Sequence, residues 1–480
     1  MAAGDGRAIP QRSMRTLRNV TPTAEQLAIL SRVRPGVELI RGAAGSGKTT
    51  TALLKLKSLI GFFASRRKRE NDTSPIKVLV LTYNRTLRGY IEALTQRQAS
   101  TFQGVNLEVE TFGRWAKWAL GSPSILDDKV RESKILTLGS HLQLPPEFLL
   151  AETEYVLGRF LPADLGNYVS ARRDGRGASP RMDKTQRQAL LDDVITPYEV
   201  WKLGRNRVDW NDLAVQLAAQ SKAGPYDVII ADESQDFSAN QVRGLIKQLS
   251  PVHCLTFVLD SVQRIYARGF TWQEVGLTIR PENTSHLRRN FRNTIEIARL
   301  AAPLIKGIPI DDDGSIPDFN SCTKHGPVPV VLRGKFSHQL DYVIRYLKEK
   351  INLNDESVAF LQPFGGRWFD ATRSGLSQAG LPFVEITRKS DWPQGSENIA
   401  LSTLHSGKGL EFDHVIIIGL NAEVTTHGKK EDDDRLITLR KLLAMGIGRA
   451  LKSVTIGYKA SEASQLVDYL DPETFQGIDV

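Results

Sequence analysis

Two short runs of this 480-residue chain hold the residue types that phosphate chemistry requires. The first is Gly42-Ala43-Ala44-Gly45-Ser46-Gly47-Lys48-Thr49. Its glycines let the backbone wrap closely around an anion, its lysine brings charge, and its terminal hydroxyl can reach a cation. The run follows a mostly apolar segment, Val37–Ile40, and opens a helical pattern, which predicts strand, tight loop and helix N-terminus in that order. Such a loop cradles the phosphates of ATP with residues 42–50, Thr50 included. Lys48 is expected on the β- and γ-phosphates and Thr49 on Mg²⁺. The second run is Val228-Ile229-Ile230-Ala231-Asp232-Glu233-Ser234-Gln235-Asp236. Asp232 at a strand tip would hold the Mg²⁺ through water, and Glu233 beside it could polarise the attacking water. Adjacent carboxylates also occur as plain solvated strand ends. Four apolar residues directly before them, in a chain with a phosphate loop, favour the chemical reading.

These side chains need a scaffold that brings distant runs together. Val78–Leu81, Val228–Ala231, Thr256–Leu259, Val358–Leu361 and Val415–Gly419 read as buried parallel strands, being rich in β-branched residues and bounded by polar turns. Helical patterns, as in Thr49–Ile60 and Leu442–Ala450, separate them, so the fold class is α/β with parallel sheets. Two such sets occur, one before about residue 285 and one after. Three polar segments read as surface loops: Ala64–Pro75, Ala171–Gln188 and Thr425–Arg435.

Composition narrows the class further. Hydrophobic residues make up 41% and charged residues 24%, as in ordinary soluble domains. No apolar run reaches the roughly 18 residues a membrane helix needs, and the first nineteen residues lack the apolar core of a secretory signal. Two cysteines, Cys254 and Cys322, exclude a disulfide framework, a four-cysteine cluster and a zinc ribbon, and a cytoplasmic setting is expected. The net charge of +9 favours a polyanionic partner.

Further motifs flank the two runs. Thr21-Pro22-Thr23-Ala24-Glu25-Gln26 ends in an amide that can both donate to and accept from adenine, although Thr23 as a helix cap accounts equally for part of it. Downstream stand Val258-Leu259-Asp260-Ser261-Val262-Gln263-Arg264-Ile265-Tyr266 and Leu287-Arg288-Arg289-Asn290-Phe291-Arg292-Asn293. Thr403-Leu404-His405-Ser406-Gly407-Lys408-Gly409-Leu410-Glu411-Phe412 and Ala444-Met445-Gly446-Ile447-Gly448-Arg449-Ala450 follow. In this order, and with the D-E-x-Q-D form at Asp232, they resemble the UvrD/Rep-like branch of superfamily 1 helicases from about Thr21 to about Tyr458.

The resemblance implies roles. Gln26 would contact adenine, Phe291 would pack on its face and Glu411 would bond the ribose. Gln263 would sense the γ-phosphate, which Arg292 and Arg449 would reach from a second lobe. Leu81-Thr82-Tyr83-Asn84-Arg85 and Thr111-Phe112-Gly113 resemble motifs lining a single-strand groove. Thr82, Tyr83, Asn84, Arg85, Thr111, Phe112, Tyr266, Thr403 and His405 are therefore expected to face nucleic acid, DNA rather than RNA, with Phe270 or Trp272 as further stacking candidates. Around Arg449 the chain departs from the family: Ala444 and Gly448 stand where tyrosine and threonine are usual, leaving open how firmly Arg449 is held.

The implied architecture is two RecA-like P-loop lobes plus a helical insertion. Residues 1–19 form a tail, 20–115 and 206–285 the first lobe (1A), 116–205 the helical insertion (1B), and 286–480 the second lobe (2A). Only a short stretch separates Pro382-Phe383-Val384 from Ala400, so the family's large 2B domain is expected to be absent or reduced. The implied activity is ATP-driven movement on single-stranded nucleic acid, in the 3′ to 5′ direction. An alternative is a nucleic-acid-sensing ATPase subunit that regulates a partner nuclease, as in Gabija-type anti-phage systems, which contain compact UvrD-like proteins of this size. A P-loop small-molecule kinase is a third reading, but it has no use for Arg292 and Arg449.

Overall fold

Runs of leucine, isoleucine and valine form the strands of two sheets, and every strand pairing in both is parallel. The computed structural model describes residues 22–480 apart from 43–45, 83–94, 96–98, 100–101, 173–181, 221–223, 260–268, 288–292, 309–321, 323, 364–366, 387–396, 408–409 and 429–432. The first sheet contains β1 (Gly36–Gly42), β2 (Ile76–Thr82), β3 (Val105–Thr111), β4 (Tyr226–Ala231), β5 (Leu249–Leu259) and β6 (Thr284–Leu287), in the spatial order β3-β2-β4-β5-β1-β6. The second contains β7 (Val330–Arg333), β8 (Val358–Gln362), β9 (Phe383–Glu385), β10 (Ile399–Thr403), β11 (Phe412–Ile417), β12 (Ala450–Tyr458) and β13 (Gln476–Asp479), in the order β13-β7-β12-β11-β8-β10-β9. All-parallel sheets are covered by helices on both faces, which is why central strands such as β4 are buried along their whole length.

The expected strands at 78–81, 228–231, 256–259 and 358–361 fall inside β2, β4, β5 and β8. Five expectations need correcting. The strand read as Val415–Gly419 stops at Ile417, and Gly419 lies beyond it with a positive φ of 74°. The helix read as Leu442–Ala450 ends at Ile447, and Ala450 already begins β12. The basic segment read as a loop from Ala64 instead completes the helix Lys48–Glu70. Its residues are good helix formers, and three basic residues in the last turn suit the negative end of the helix dipole. Arg67 is also tied to Asp227 at 2.6 Å, and the helix stops at Asn71 in a left-handed conformation. Similarly, Lys184–Ala189 is helical, started by an Asp183–Gln186 capping box, and Asp434 opens a helix capped by Asp433.

Between β3 and β4 the chain builds a helical block on its own core of Leu149, Tyr155, Val156, Tyr168, Leu190 and Tyr198. Its helices include Asp128–Leu138, Pro146–Arg159 and Thr196–Leu203. A buried charge cluster joins this block to the first sheet's helix Trp210–Ala219. Lys202, only 2% exposed, donates to Glu199 (2.7 Å), Asp209 (3.2 Å) and Asp212 (2.8 Å), and the Tyr198 hydroxyl donates to Asp209 (2.8 Å). Asp209 also caps that helix through the Asn211 and Asp212 amides. Among the described residues no helix is long and apolar enough to cross a membrane.

This cluster yields a stability prediction. Lys202→Met removes the cation from the buried Asp209 and the half-buried Asp212, and breaking a buried ion pair in this way costs about 3–5 kcal/mol. The urea unfolding midpoint of the variant should fall accordingly. An unchanged midpoint would show that the acids are neutralised by other means.

Candidate nucleotide and nucleic-acid site

β1 delivers the phosphate loop at the carboxyl edge of the first sheet, where parallel α/β sheets bind ligands. Steric demands explain its glycines. A Cβ on Gly42 would lie 2.4 Å from the Ser46 hydroxyl and 2.8 Å from the Leu287 carbonyl at the end of β6. Gly47 has φ +77°, and a Cβ there would lie 2.7 Å from the Gln26 amide nitrogen. Gly47 then starts the helix Lys48–Glu70, whose first amides face the loop. Ser46 and Lys48 are buried, and Thr49 and Thr50 are half-buried. Ala43, Ala44 and Gly45 lie outside the described residues.

Gln26 supports this loop. Its amide nitrogen donates to the Thr51 hydroxyl (3.0 Å) and the Gly47 carbonyl (3.5 Å), and its amide oxygen accepts from the Thr23 backbone (2.9 Å). Thr23 returns the bond by accepting from the Gln26 N–H, which completes a capping box on the helix Ala24–Leu30. The residue expected to read adenine is thus also a strut between that cap and the phosphate loop.

The acidic run sits two strands away, with β5 between β4 and β1. The Thr49 hydroxyl donates across this gap to both oxygens of Asp232, at 3.0 and 3.1 Å. Asp232 is fixed in turn by its own N–H, which donates to the Leu81 carbonyl at the end of β2 (2.8 Å). Burial, and then the Glu233 charge beside it, push the Asp232 carboxyl well above the ordinary carboxylate range; the Thr49 bond and the Lys48 charge pull the other way. A desolvated carboxylate of this kind is made comfortable by added positive charge. Hydroxyl and carboxylate oxygens are the donors a hard cation such as Mg²⁺ prefers, so Thr49 and Asp232 fit that ion. Among the described residues no group of three or more His, Cys, Asp or Glu side chains could hold a metal alone. A Mg²⁺ here would therefore need substrate oxygens and water to complete its shell.

Glu233 adopts φ +53°, a left-handed conformation that costs a non-glycine residue of order 1–3 kcal/mol. The left-handed residue sits at the end of β4, directly after Asp232 and just before the short turn Ser234–Asp236. Gln235 holds its carboxylate, the amide donating to Glu233 at 2.5 Å. This orienting amide lies two residues beyond Glu233 in the D-E-x-Q-D run, but which way it points only the fold decides.

In the second sheet the expected site residues divide between two edges. Thr403 ends β10, and its hydroxyl donates to Ser406 (3.1 Å) while accepting from the Ser406 N–H (3.1 Å), forming a tight turn that leaves His405 half-buried. Glu411, exposed, precedes β11, and Arg449, buried, precedes β12, with Phe412 and Ala450 paired in register. Because the strands are parallel, Glu411 and Arg449 share the amino edge while Thr403 sits at the carboxyl edge.

Two expected nucleic-acid contacts are corrected. The Phe112 ring is only 4% exposed and packs edge-to-face on Trp115 (5.5 Å between centroids) and Phe237 (6.0 Å). It is a core residue, because the helix Phe112–Ala119 lays this face on the sheet. Thr82 is fully buried at the end of β2, opposite Thr111 of β3, which is half-buried. Phe270 and Trp272 are partly buried, and Trp272 packs on Phe257 at 4.9 Å. Tyr83, Asn84, Arg85, Gln263, Tyr266, Phe291 and Arg292 lie outside the described residues.

The Gly47 geometry leads to a test. Gly47→Ala combines a strained φ with a collision against Gln26, so ATP binding should weaken about five- to thirtyfold for about 1–2 kcal/mol of distortion. Calorimetric titration of folded Gly47→Ala with ATP measures it. Wild-type affinity would mean that the loop does not depend on this contact.

Comparison with known proteins bears on the family. A family model described as an AAA domain matches residues 25–268, and a UvrD-like helicase C-terminal domain model matches residues 381–461. A probable DNA helicase of Mycoplasma pneumoniae is 22% identical over 86% of this chain and 79% of its own length. The ATP-dependent DNA helicase Rep of Escherichia coli is 34% identical over 18% of this chain, and that match spans only 13% of Rep. A crystal structure of the C-terminal domain of a possible DNA helicase from Lactobacillus plantarum aligns with 39% of this chain and 98% of its own, at 21% identity and a TM-score of 0.29. Two parallel α/β sheets, a phosphate loop facing an Asp-Glu strand tip, and these family matches together place the chain among the UvrD/Rep-like superfamily 1 proteins, a family of ATP-hydrolysing DNA helicases.

Proposed function

We propose that this chain is an ATP-driven translocase on single-stranded DNA, moving 3′ to 5′ in a cytoplasmic setting. The observation that carries the proposal is the Thr49–Asp232 contact, which joins the phosphate loop to the acidic strand tip. Lys48 binds the β- and γ-phosphates, and Thr49 and Asp232 hold Mg²⁺. That ion, when bound, neutralises phosphate charge as it develops. Glu233, oriented by Gln235, takes the proton of the attacking water. Gln263 senses the γ-phosphate, and Arg292 and Arg449 stabilise its transition-state charge from the second lobe. Gln26, Phe291 and Glu411 bind the nucleoside, with Gln26 relaying adenine contact to the loop through its bonds to Gly47 and Thr51.

The nucleic-acid track would run over the carboxyl edges of both sheets, with Tyr83, Asn84, Arg85 and Thr111 on one side and Thr403 and His405 on the other. Tyr266 would stack on a base between them. Residues 20–115 and 206–285 act as lobe 1A, 116–205 as the helical 1B insertion and 286–480 as lobe 2A. Only residues 386–398 link the paired strands β9 and β10, which supports the reading that 2B is absent or reduced. Closure and reopening of the lobes during the ATP cycle would convert hydrolysis into stepping.

Two measurements test this function. Glu233→Gln should abolish ATP turnover while retaining ATP binding, since the substitution removes the base and leaves the phosphate cradle intact; near wild-type turnover would sink the assignment. Single-stranded DNA should stimulate the ATPase, and apparent DNA affinity should fall with a log–log salt slope of about −0.7 per phosphate contacted. An ATPase indifferent to all nucleic acid would refute the translocase reading.

A further inference from the structure

Arg449 sits in a sequence that gives it little side-chain support, with Gly448 before it and Ala450 after it. The structure supplies the support from another part of the chain. Asn293 is 3% exposed, and its side-chain amide donates to the Gly448 carbonyl at 3.1 Å and to the Ala450 carbonyl at 2.6 Å. One planar NH₂ group carries two donors. Here both are used on the carbonyls of the residues before and after Arg449, which fixes the Gly448–Arg449 and Ala450–Leu451 peptide planes. The Arg449 backbone is held as well, its N–H donating to Gly446 (3.1 Å) and its carbonyl accepting from Phe412 (3.0 Å).

Asn293 stands just before a well-anchored helix. Thr294 caps Ile295–Ile305 by accepting from the Ile297 N–H at 3.3 Å. That helix runs antiparallel to Asp434–Ile447, the helix that leads into Arg449, because the start of one meets the end of the other through Asn293. The far end of Ile295–Ile305 is pinned by Arg440, which stands midway along Asp434–Ile447 and is 7% exposed. Its guanidinium donates to the Leu304 carbonyl (2.9 Å) and the Lys306 carbonyl (2.7 Å) and lies 4.0 Å over the Tyr469 ring. The helix Ile295–Ile305 is thus tied to its neighbour near both of its ends, and Asn293 is the tie beside the arginine. Arg292 is its neighbour in the chain.

We propose that Asn293 is a positioning residue for ATP hydrolysis: its two-carbonyl clamp holds Arg449 in the geometry that serves the transition state. This rests on the role proposed for Arg449. An arginine that acts mainly on transition-state charge must be placed closely, and a displacement of about 1 Å can cost on the order of 10²-fold in rate. Losing the clamp should therefore lower kcat with little change in KM for ATP.

The test is a double-mutant cycle on steady-state ATP hydrolysis by the full chain. Asn293→Asp keeps the shape and replaces both donors with acceptors that face carbonyls; kcat should fall about 10- to 100-fold, with KM changed less than about threefold. In an Arg449→Ala background the same substitution should change kcat less than about twofold, because the group being positioned is gone. If Asn293→Asp does not fold, Asn293→Ser, which keeps one donor, takes its place and should show a smaller kcat loss that also vanishes without Arg449. Equal losses in both backgrounds, or a loss confined to KM, would overturn this inference while leaving the role of Arg449 standing. A wild-type rate for Arg449→Ala alone would overturn that role, and the positioning role with it.

Discussion

A hydroxyl on the first turn of one helix donates to a carboxylate that begins two strands away, and most of the first domain exists to make that meeting possible. Thr49 can reach Asp232 only if β1, β5 and β4 lie parallel and end at the same edge. The register sets the offset: Gly36 and Val228 both pair with Cys254, so Ala231 at the end of β4 lies level with Leu39 and β1 runs three residues further to Gly42. Parallel strands cannot be joined by short turns. The chain must therefore cross over between β1 and β4, and the helical block fits within one of those crossings. Burial of Asp232 is the cost of this arrangement, and it is also what makes the pair receptive to a cation.

The loop around that contact is a set of positions where ordinary residues do not fit. Gly42 and Gly47 leave room for the Ser46 hydroxyl, the Leu287 carbonyl and the Gln26 amide. Glu233 takes the opposite course, accepting a strained left-handed backbone, with its carboxylate held by the Gln235 amide. Gln26 and Gln235 hold these strained elements with neutral amides, which add direction without adding charge to a site already rich in it. Neutral donors suit a place where Lys48 and two carboxylates already compete.

The second sheet separates two kinds of surface by strand polarity alone. Its carboxyl edge ends in the Thr403 turn, and its amino edge carries Glu411 and Arg449. The two sets of side chains are joined through the paired strands β10, β8 and β11. The buried amide of Asn293 ties the helix Ile295–Ile305 to the start of β12, and the guanidinium of Arg440 ties that helix to Asp434–Ile447.

Local chemistry was strong enough for the sequence to determine the phosphate loop, the acidic strand tip and the parallel α/β class. A Gly-rich loop between an apolar run and a helix, and two carboxylates behind four apolar residues, each carry their meaning within a dozen positions. Strands buried on both faces are equally plain, because they need continuous apolar runs such as Val228–Ala231. The sequence could not decide what depended on partners far along the chain. Ala64–Glu70 looked like a solvated loop because its charges are local, but it is helical, and Arg67 is anchored to Asp227, which lies 160 residues away. Phe112 and Thr82 looked like exposed groove residues because motif position says nothing of which face packs inward. Arg449 looked weakly held because its support, Asn293, stands 155 residues before the carbonyl of Gly448 that it binds. Periodicity reports what a residue does for its own element; only the tertiary structure shows which other element it touches.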